Sequence, residues 1–348
     1  MADVCELLGR DVVVYASGPP GVTESDARRG YPVVRAGHLL APTPGTARRA
    51  VQLLHQHRAS RVVFGAASPL GLLAPILRRA GAERIVGLTH GHEIWWAQLP
   101  GSRSLLRRIG DGCDHLTTIS DFSTDRIAAA LSAPARERLL RLAPPVDLSL
   151  FRPGAAAGGP GRCVAVGRFV VQKGFSTLIR AWRAVQDRWP AAAERPELVV
   201  VGDGPQRVEL CRLVSQLGLE ATVRMTGALP RSGVLAELQA ARVFALPVRT
   251  RWAGLNPEGL GLAAVEAAAC GLPVVVGRSG GAPETVRDGV TGFVVDPARP
   301  ADLAGRIATL LLDPVRAAAM GAAGRRHVAA SFGREQAQAT LLHALEIG

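Results

Sequence analysis

Short apolar runs rich in valine and isoleucine alternate with helix-forming stretches along this chain, and the alternation stops and then starts again. In the first series, 12–15, 31–35, 61–65, 84–89 and 115–119 read as strands. Stretches 3–9, 46–57, 69–80, 103–109 and 123–131 read as helices, with a Gly/Pro turn at 18–21. A Pro/Gly-rich stretch follows, Pro144-Pro145 and then 151–161, which reads as a linker. The second series has strands at 163–166, 198–201, 223–226, 243–246, 274–276 and 293–296, with helices between them and from Ala301 and Gly333. Alternation at this length gives a parallel sheet wrapped by helices on both faces. The expectation is therefore two doubly wound α/β domains, 1–150 and 151–330, and a C-terminal helix over 331–348 that can cross back to the first domain. Ligands bind such sheets at the carboxyl ends of the strands, and two facing domains make a cleft.

One segment indicates what such a cleft is for. Asn256-Pro257-Glu258 ends a loop with capping chemistry, 260–270 has good helix formers, Gly271 and Pro273 stop the helix, and 274–276 is a buried strand. Glu258 therefore stands at the helix mouth, with Glu266 about two turns on, roughly 12 Å along the axis. That is too far for two carboxylates to act on one carbon as a glycosidase pair does. It suits gripping two ends of one long ligand. Gly259 and Gly261, flanking Leu260, leave first-turn N–H groups uncovered for an anion or a sugar oxygen. The plainer alternative is an ordinary capped helix with two surface glutamates.

Charge adds a second clue. The net charge of +12 favours nucleotides, nucleic acid or an acidic membrane face without choosing among them. Of the 41 basic residues, all but Lys173 are arginine. A compact ammonium is not interchangeable with a guanidinium where a point charge meets phosphate. Lys173 lies in Gly167-Arg168-Phe-Val-Val-Gln-Lys173-Gly174, directly after a strand. There Arg168 and Lys173 can neutralise the diphosphate of a departing nucleotide. The chain has no Asp-x-Asp pair, so these cations are expected to replace a metal, and no cofactor is expected. A solvated basic pair is the alternative. Gly202-Asp203-Gly204-Pro205 is too short for a dinucleotide fingerprint and reads as a turn.

Two further motifs follow strands. In Thr89-His90-Gly91-His92-Glu93, a histidine at a strand's carboxyl end can bond a sugar hydroxyl or meet charge at a reacting carbon. Zinc ligation by His90 and His92 lacks a third ligand of sensible spacing, and a structural histidine is the alternative for either ring. Ser279-Gly280-Gly281-Ala282-Pro283-Glu284 is a Gly-rich loop that either lines a donor pocket or turns the chain.

With 348 residues, 48% hydrophobic and 20% charged, the chain has an ordinary globular composition. It contains no run of 18 apolar residues that would span a membrane. Its first residues lack the basic and apolar regions of a signal peptide, and its five cysteines show no metal or disulfide spacing. A cytoplasmic location is expected.

Together, Gly167-Arg168 with Lys173-Gly174, the Glu258/Glu266 pair, Thr89 to Glu93 and Ser279 to Glu284 resemble retaining glycosyltransferases of the GT-B fold. Pro100-Gly-Ser-Arg-Ser-Leu-Leu-Arg-Arg-Ile-Gly-Asp111 and Arg249-Thr-Arg-Trp-Ala-Gly254 look like the actinobacterial phosphatidylinositol-mannoside mannosyltransferases, which use GDP-mannose. The resemblance runs over nearly the whole chain. It implies that Arg168 and Lys173, beside Gly167, bind the diphosphate and that Glu266 binds the ribose. It implies that Glu258, with the backbone of Gly259, Leu260 and Gly261, holds the sugar, and that His90 lies beside the reacting carbon. His92, Glu93, Gly280 and Gly281 are further candidates. The partners implied are a nucleotide-sugar donor and a lipid-linked acceptor, with no nucleic acid.

The acceptor leaves fewer marks. Trp95-Trp96 and Leu105-Leu106-Arg107-Arg108 can touch an anionic membrane at the inner face of the cell membrane, or form a buried helix face. Proteins of this family begin with a strand and a Gly-Gly loop, whereas this chain begins at what looks like the first helix. The expectation is a first domain incomplete at its start, with the missing strand upstream in the reading frame. Three other readings remain: a non-catalytic nucleotide-sugar binder, a hexosyltransferase using UDP-glucose or UDP-N-acetylglucosamine, and an NAD-linked oxidoreductase, which would need a complete glycine fingerprint.

Overall fold

A computed structural model of the protein describes residues 2–8, 12–18, 24–37, 39–154 and 161–347. Gly9, residues 19–21 of the expected turn and 155–160 of the expected linker lie outside the described residues. The chain divides into two compact units, Met1–Pro145 with Arg334–Gly348, and Val146–Gly333.

In the first unit the strands are β1 (Val14–Ala16), β2 (Val33–Arg35), β3 (Arg61–Phe64), β4 (Arg84–Leu88), β5 (His115–Thr118) and β6 (Leu139–Arg141). β3, β4, β5 and β6 form a parallel sheet in that order, while β1 and β2 pair with each other. The ladder is not continuous between the two, because no described strand joins β1 or β2 to β3. Successive residues of β4 face opposite sides. Ile85 joins the cluster of Phe64, Leu106, Ile109, Leu116 and Ile127. Val86 and Leu88 join Leu7, Leu142, Leu341 and Leu345, which brings the first and last helices, Ala2–Leu8 and Arg334–Leu345, onto the other face. Both faces are covered, as a parallel sheet requires.

The second unit holds β7 (Arg162–Val166), β8 (Glu197–Val201), β9 (Val223–Gly227), β10 (Val243–Leu246), β11 (Val274–Gly277) and β12 (Gly292–Val295). All pair in parallel, in the order β12-β11-β10-β7-β8-β9. β10 and β11 are buried along their whole length, the near-continuous apolar run expected of a sheet covered on both faces. Helix Phe175–Asp187 covers one face with Leu178, Ile179, Trp182 and Val185 and packs on helix Pro300–Leu312.

Some element readings change. The helix expected at 69–80 is broken into Ala67–Leu70, a 3-10 turn Gly71–Leu73 and Ala74–Arg79. Helices Glu93–Gln98, Ala133–Glu137 and Pro314–Ser331, and strand β6, are additional. No single described helix is long and apolar enough to cross a membrane.

Candidate functional site

In the six-stranded sheet the chain runs outward from β7 to β8 and β9 on one side, and from β10 to β11 and β12 on the other. β7 and β10 are neighbours, so the loops leaving their carboxyl ends part there and open the crevice where doubly wound sheets bind ligands. The loop after β7 carries Gly167, Arg168 and Lys173, and the loop after β10 carries Glu258. The structure joins them directly: Lys173 Nζ lies 2.8 Å from Glu258 Oε2, with both side chains mostly shielded from solvent. Sequence spacing, 85 residues apart, gave no sign of this pair.

The main chain fixes both partners. Lys173 ends a 3-10 turn, Val171–Lys173. Gly174 then turns left-handed, with φ +74°, so close to the second loop that a Cβ would meet the Pro247 oxygen at 2.1 Å. Gln172 Nε2 donates to the Pro257 oxygen (2.6 Å), and Arg249 donates its backbone N–H to the Gln172 oxygen (2.8 Å). On the other side, the Glu258 N–H donates to Ser279 Oγ (3.2 Å), which lies 2.9 Å from Thr250 Oγ1. The Gly281 N–H donates to the Glu258 oxygen (2.9 Å). Gly280, φ +55°, sits under Glu258 so tightly that a Cβ would lie 1.9 Å from that oxygen. Gly280 and Gly281 thus hold the backbone of Glu258. Gln172, Thr250 and Ser279 were missed as site residues because their contacts cross long loops.

The turn at Gly202 to Pro205 also belongs to this scaffold. Phe169 donates its N–H to the Asp203 oxygen (2.8 Å) and Gln206 its N–H to the Phe169 oxygen (3.1 Å). A Cβ at Gly202 would meet the Gly167 oxygen at 1.9 Å. The turn therefore braces the loop that presents Arg168, whose side chain is exposed and has no side-chain partner among the described residues.

The helix after Glu258 spans Leu262–Ala269, beginning two residues later than expected because Gly261 is left-handed, with φ +94°. No side chain caps it, and the Ala264 N–H donates to the Gly261 oxygen (2.9 Å). Glu266 lies half-buried on this helix. The thiol of Cys270 just beyond it is pushed up to about 12, by burial first and then by the charge of Glu266. Burial likewise pushes the Cys113 thiol up to about 12 and raises those of Cys163 and Cys5, so these sulfurs stay protonated and are poor nucleophiles.

In the first unit, Thr89 to Glu93 follows the carboxyl end of β4. His90 is exposed, its N–H donating to Glu93 Oε2 (3.0 Å) and its Nε2 lying 2.6 Å from the Gly65 oxygen. Because a carbonyl only accepts, Nε2 carries the proton there and a neutral ring presents Nδ1 as acceptor. Glu93 is fully buried, and its Oε1 lies 3.2 Å from His92 Nε2. Among the described residues no group of three or more His, Cys, Asp or Glu could hold a metal ion. Trp96 and Leu106 pack into the first unit's core, which leaves Trp95, Arg107 and Arg108 as the exposed part of the expected membrane patch, with Leu99 exposed nearby in the sequence.

Comparison with known proteins agrees with this architecture. Residues 2–150 match the family described as Glycosyltransferase Family 4, and residues 150–327 the family described as Glycosyl transferases group 1. The chain is 45% identical over 329 residues to a GDP-mannose-dependent alpha-(1-6)-phosphatidylinositol monomannoside mannosyltransferase of Mycolicibacterium smegmatis, covering 90% of this chain and 85% of that one. It is 39% identical over 337 residues to a GDP-mannose-dependent monoacylated alpha-(1-6)-phosphatidylinositol monomannoside mannosyltransferase of Corynebacterium glutamicum, covering 93% and 87%. In fold it resembles Anabaena Alr3699/HepE in complex with UDP, with TM-score 0.80 at 20% identity over 99% of this chain and 96% of that one. It also resembles sucrose-phosphate synthase from Thermosynechococcus elongatus, with TM-score 0.77 at 21% identity over 97% and 89%. The chain belongs to the glycosyltransferases of GT-B fold that join a Glycosyltransferase Family 4 domain to a glycosyl transferases group 1 domain.

Proposed function

We propose that the protein is a retaining, metal-independent mannosyltransferase that moves mannose from GDP-mannose to a phosphatidylinositol mannoside. The donor and acceptor are those of relatives that align over most of both chains. The observation that carries the reading is the Lys173–Glu258 pair at the switch point, braced from both loops. With donor bound, Lys173 turns from Glu258 to the diphosphate and joins Arg168 there. Glu258 is then free to take sugar hydroxyls, alongside the backbone of Gly259, Leu260 and Gly261 at the uncapped helix start. Glu266 holds the ribose, and His90 offers its acceptor Nδ1 beside the reacting carbon. As the bond from the anomeric carbon to the donor phosphate breaks, its electron pair goes to the phosphate oxygen, where the two cations stabilise it. The acceptor hydroxyl forms the new bond on the same face and passes its proton to that phosphate.

In this reading the first domain, 1–150, is the acceptor side, 151–330 the donor side and 331–348 a helix returning to the first. Exposed Trp95 and Leu99, with Arg107 and Arg108, support peripheral contact with an anionic membrane face. A panel of GDP-mannose, UDP-glucose and UDP-N-acetylglucosamine, scored for transfer to phosphatidylinositol mannoside by the purified protein, tests the reading. Transfer from GDP-mannose alone is expected. Preferential transfer from a UDP-sugar overturns the donor, and binding of GDP-mannose without transfer to any acceptor overturns the catalytic reading.

A further inference from the structure

The loop between β10 and Glu258 carries features that the donor site does not use. Arg249, Thr250, Arg278, Asp296, Pro297 and Ala298 line an open concavity of ≈ 500 Å³. These residues leave the carboxyl ends of β10, β11 and β12, three adjacent strands, on the side of the switch point away from Arg168. Arg278 is exposed and meets no carboxylate among the described residues. Arg249 uses Nε on the Val171 oxygen (3.2 Å) and makes no ion pair among the described residues. Asp296, the one carboxylate in the lining, is engaged elsewhere, accepting the Ala298 N–H (2.9 Å) and lying 3.6 Å from Arg299. Two guanidinium forks that pair with no carboxylate among the described residues, with a hydroxyl between them in the chain, match phosphate geometry. The concavity adjoins the donor site through the relay from Thr250 to Ser279 to the Glu258 N–H.

A second observation in the same loop points to a ligand with a ring. Trp252 is 65% exposed, and its backbone is left-handed, with φ +50°. For a bulky side chain that conformation is an outlier that persists only where the surrounding structure enforces it. Here the enforcement is a pinch in which Arg251 and Asn256 each donate an N–H to the other's oxygen (3.2 Å both ways). The loop is thus held so as to keep a large aromatic face in solvent, three residues from Arg249. Such a face binds the apolar side of a sugar or polyol ring.

We propose that this loop and concavity form a recognition site for a phosphorylated sugar or polyol, separate from the donor's diphosphate site. The phosphate lies between Arg249 and Arg278, and the ring lies on Trp252. Two sources share that chemistry, the phosphorylated headgroup of a lipid acceptor and a free polyol phosphate. Titration calorimetry on the full-length protein, with GDP present to occupy Arg168 and Lys173, tests the site with myo-inositol 1-phosphate and inorganic phosphate as probes. Arg278→Ala is expected to weaken both probes about tenfold or more, and Arg278→Lys to recover part of the loss. Trp252→Ala is expected to weaken myo-inositol 1-phosphate and leave inorganic phosphate unchanged. Wild-type protein that binds neither probe, or Arg278→Ala protein that binds both as wild type does, overturns the site. Unchanged myo-inositol 1-phosphate binding in Trp252→Ala overturns the ring contact. A raised KM for the lipid acceptor in Arg278→Ala, with the KM for donor unchanged, identifies the headgroup as the source; lost probe binding with both KM values unchanged identifies the free phosphate. Because the probes are read by binding, the outcome is independent of which sugar the enzyme transfers.

Discussion

Lys173 shows what a single residue discloses in advance and what it does not. Its being the one lysine among 41 basic residues marked it, and its position after a strand suggested phosphate. That its ammonium rests on Glu258 at 2.8 Å depends on two loops converging, which no local pattern records. The same holds for Asp114. Arg78 Nη2 and the Ile85 N–H donate to its Oδ2 (2.5 and 2.7 Å), and Arg84 lies 3.7 Å from its Oδ1. Burial alone would raise its carboxyl, but these partners outweigh burial and hold it below its ordinary value. A carboxyl lowered in the folded state contributes stability above its unfolded pKa of about 3.9, and that contribution is lost as pH falls through the folded value. Asp114→Asn is therefore expected to lower stability by about 1 kcal/mol at neutral pH, discounted for partial exposure. Urea titrations should show the gap between variant and wild type closing below the ordinary carboxylate range. A gap that widens on acidification would refute this assignment.

Among elements, the strands were the most legible. Runs such as Leu198-Val-Val-Val201 and Val274-Val-Val276 are apolar because both faces of the sheet are covered, and their bounds came out within a residue or two. Helix Pro314–Ser331 was not legible, because its buried face is mostly small residues, with Met320 and Val328 the larger ones. Ala317, Gly321 and Gly324 are buried, and Gly321 comes so near the preceding turn that a Cβ would meet the Gly271 oxygen at 1.8 Å. Close backbone approach also explains the loop at Ser279 to Glu284, whose sequence left lining and turning equally open. Gly280→Ala would drive a Cβ into the Glu258 oxygen. The variant is expected to lose about 1–3 kcal/mol in stability, with a larger fall in turnover than in overall fold. Circular dichroism melts alongside transfer assays check this, and wild-type melting with wild-type turnover would show that the contact relaxes without consequence.

At the scale of the molecule, the double series of strands and helices in the sequence yields two parallel α/β units, and the last helix joins the first of them. Alternation counts strands without saying which ladders connect them, so it did not by itself disclose the division of the first unit's strands into two sheets. The functional reading needs fixed cations rather than divalent ions at the leaving group, so a chelator is expected to leave the transfer rate unchanged. Loss of activity with EDTA, restored by Mg²⁺ or Mn²⁺, would show that Arg168 and Lys173 do not suffice. The most direct test is the turnover of Lys173→Ala with GDP-mannose and a phosphatidylinositol mannoside, set beside its melting temperature. If this ammonium stabilises the departing diphosphate, kcat falls at least about a hundredfold while the fold persists; near-normal turnover in a folded variant would contradict the account.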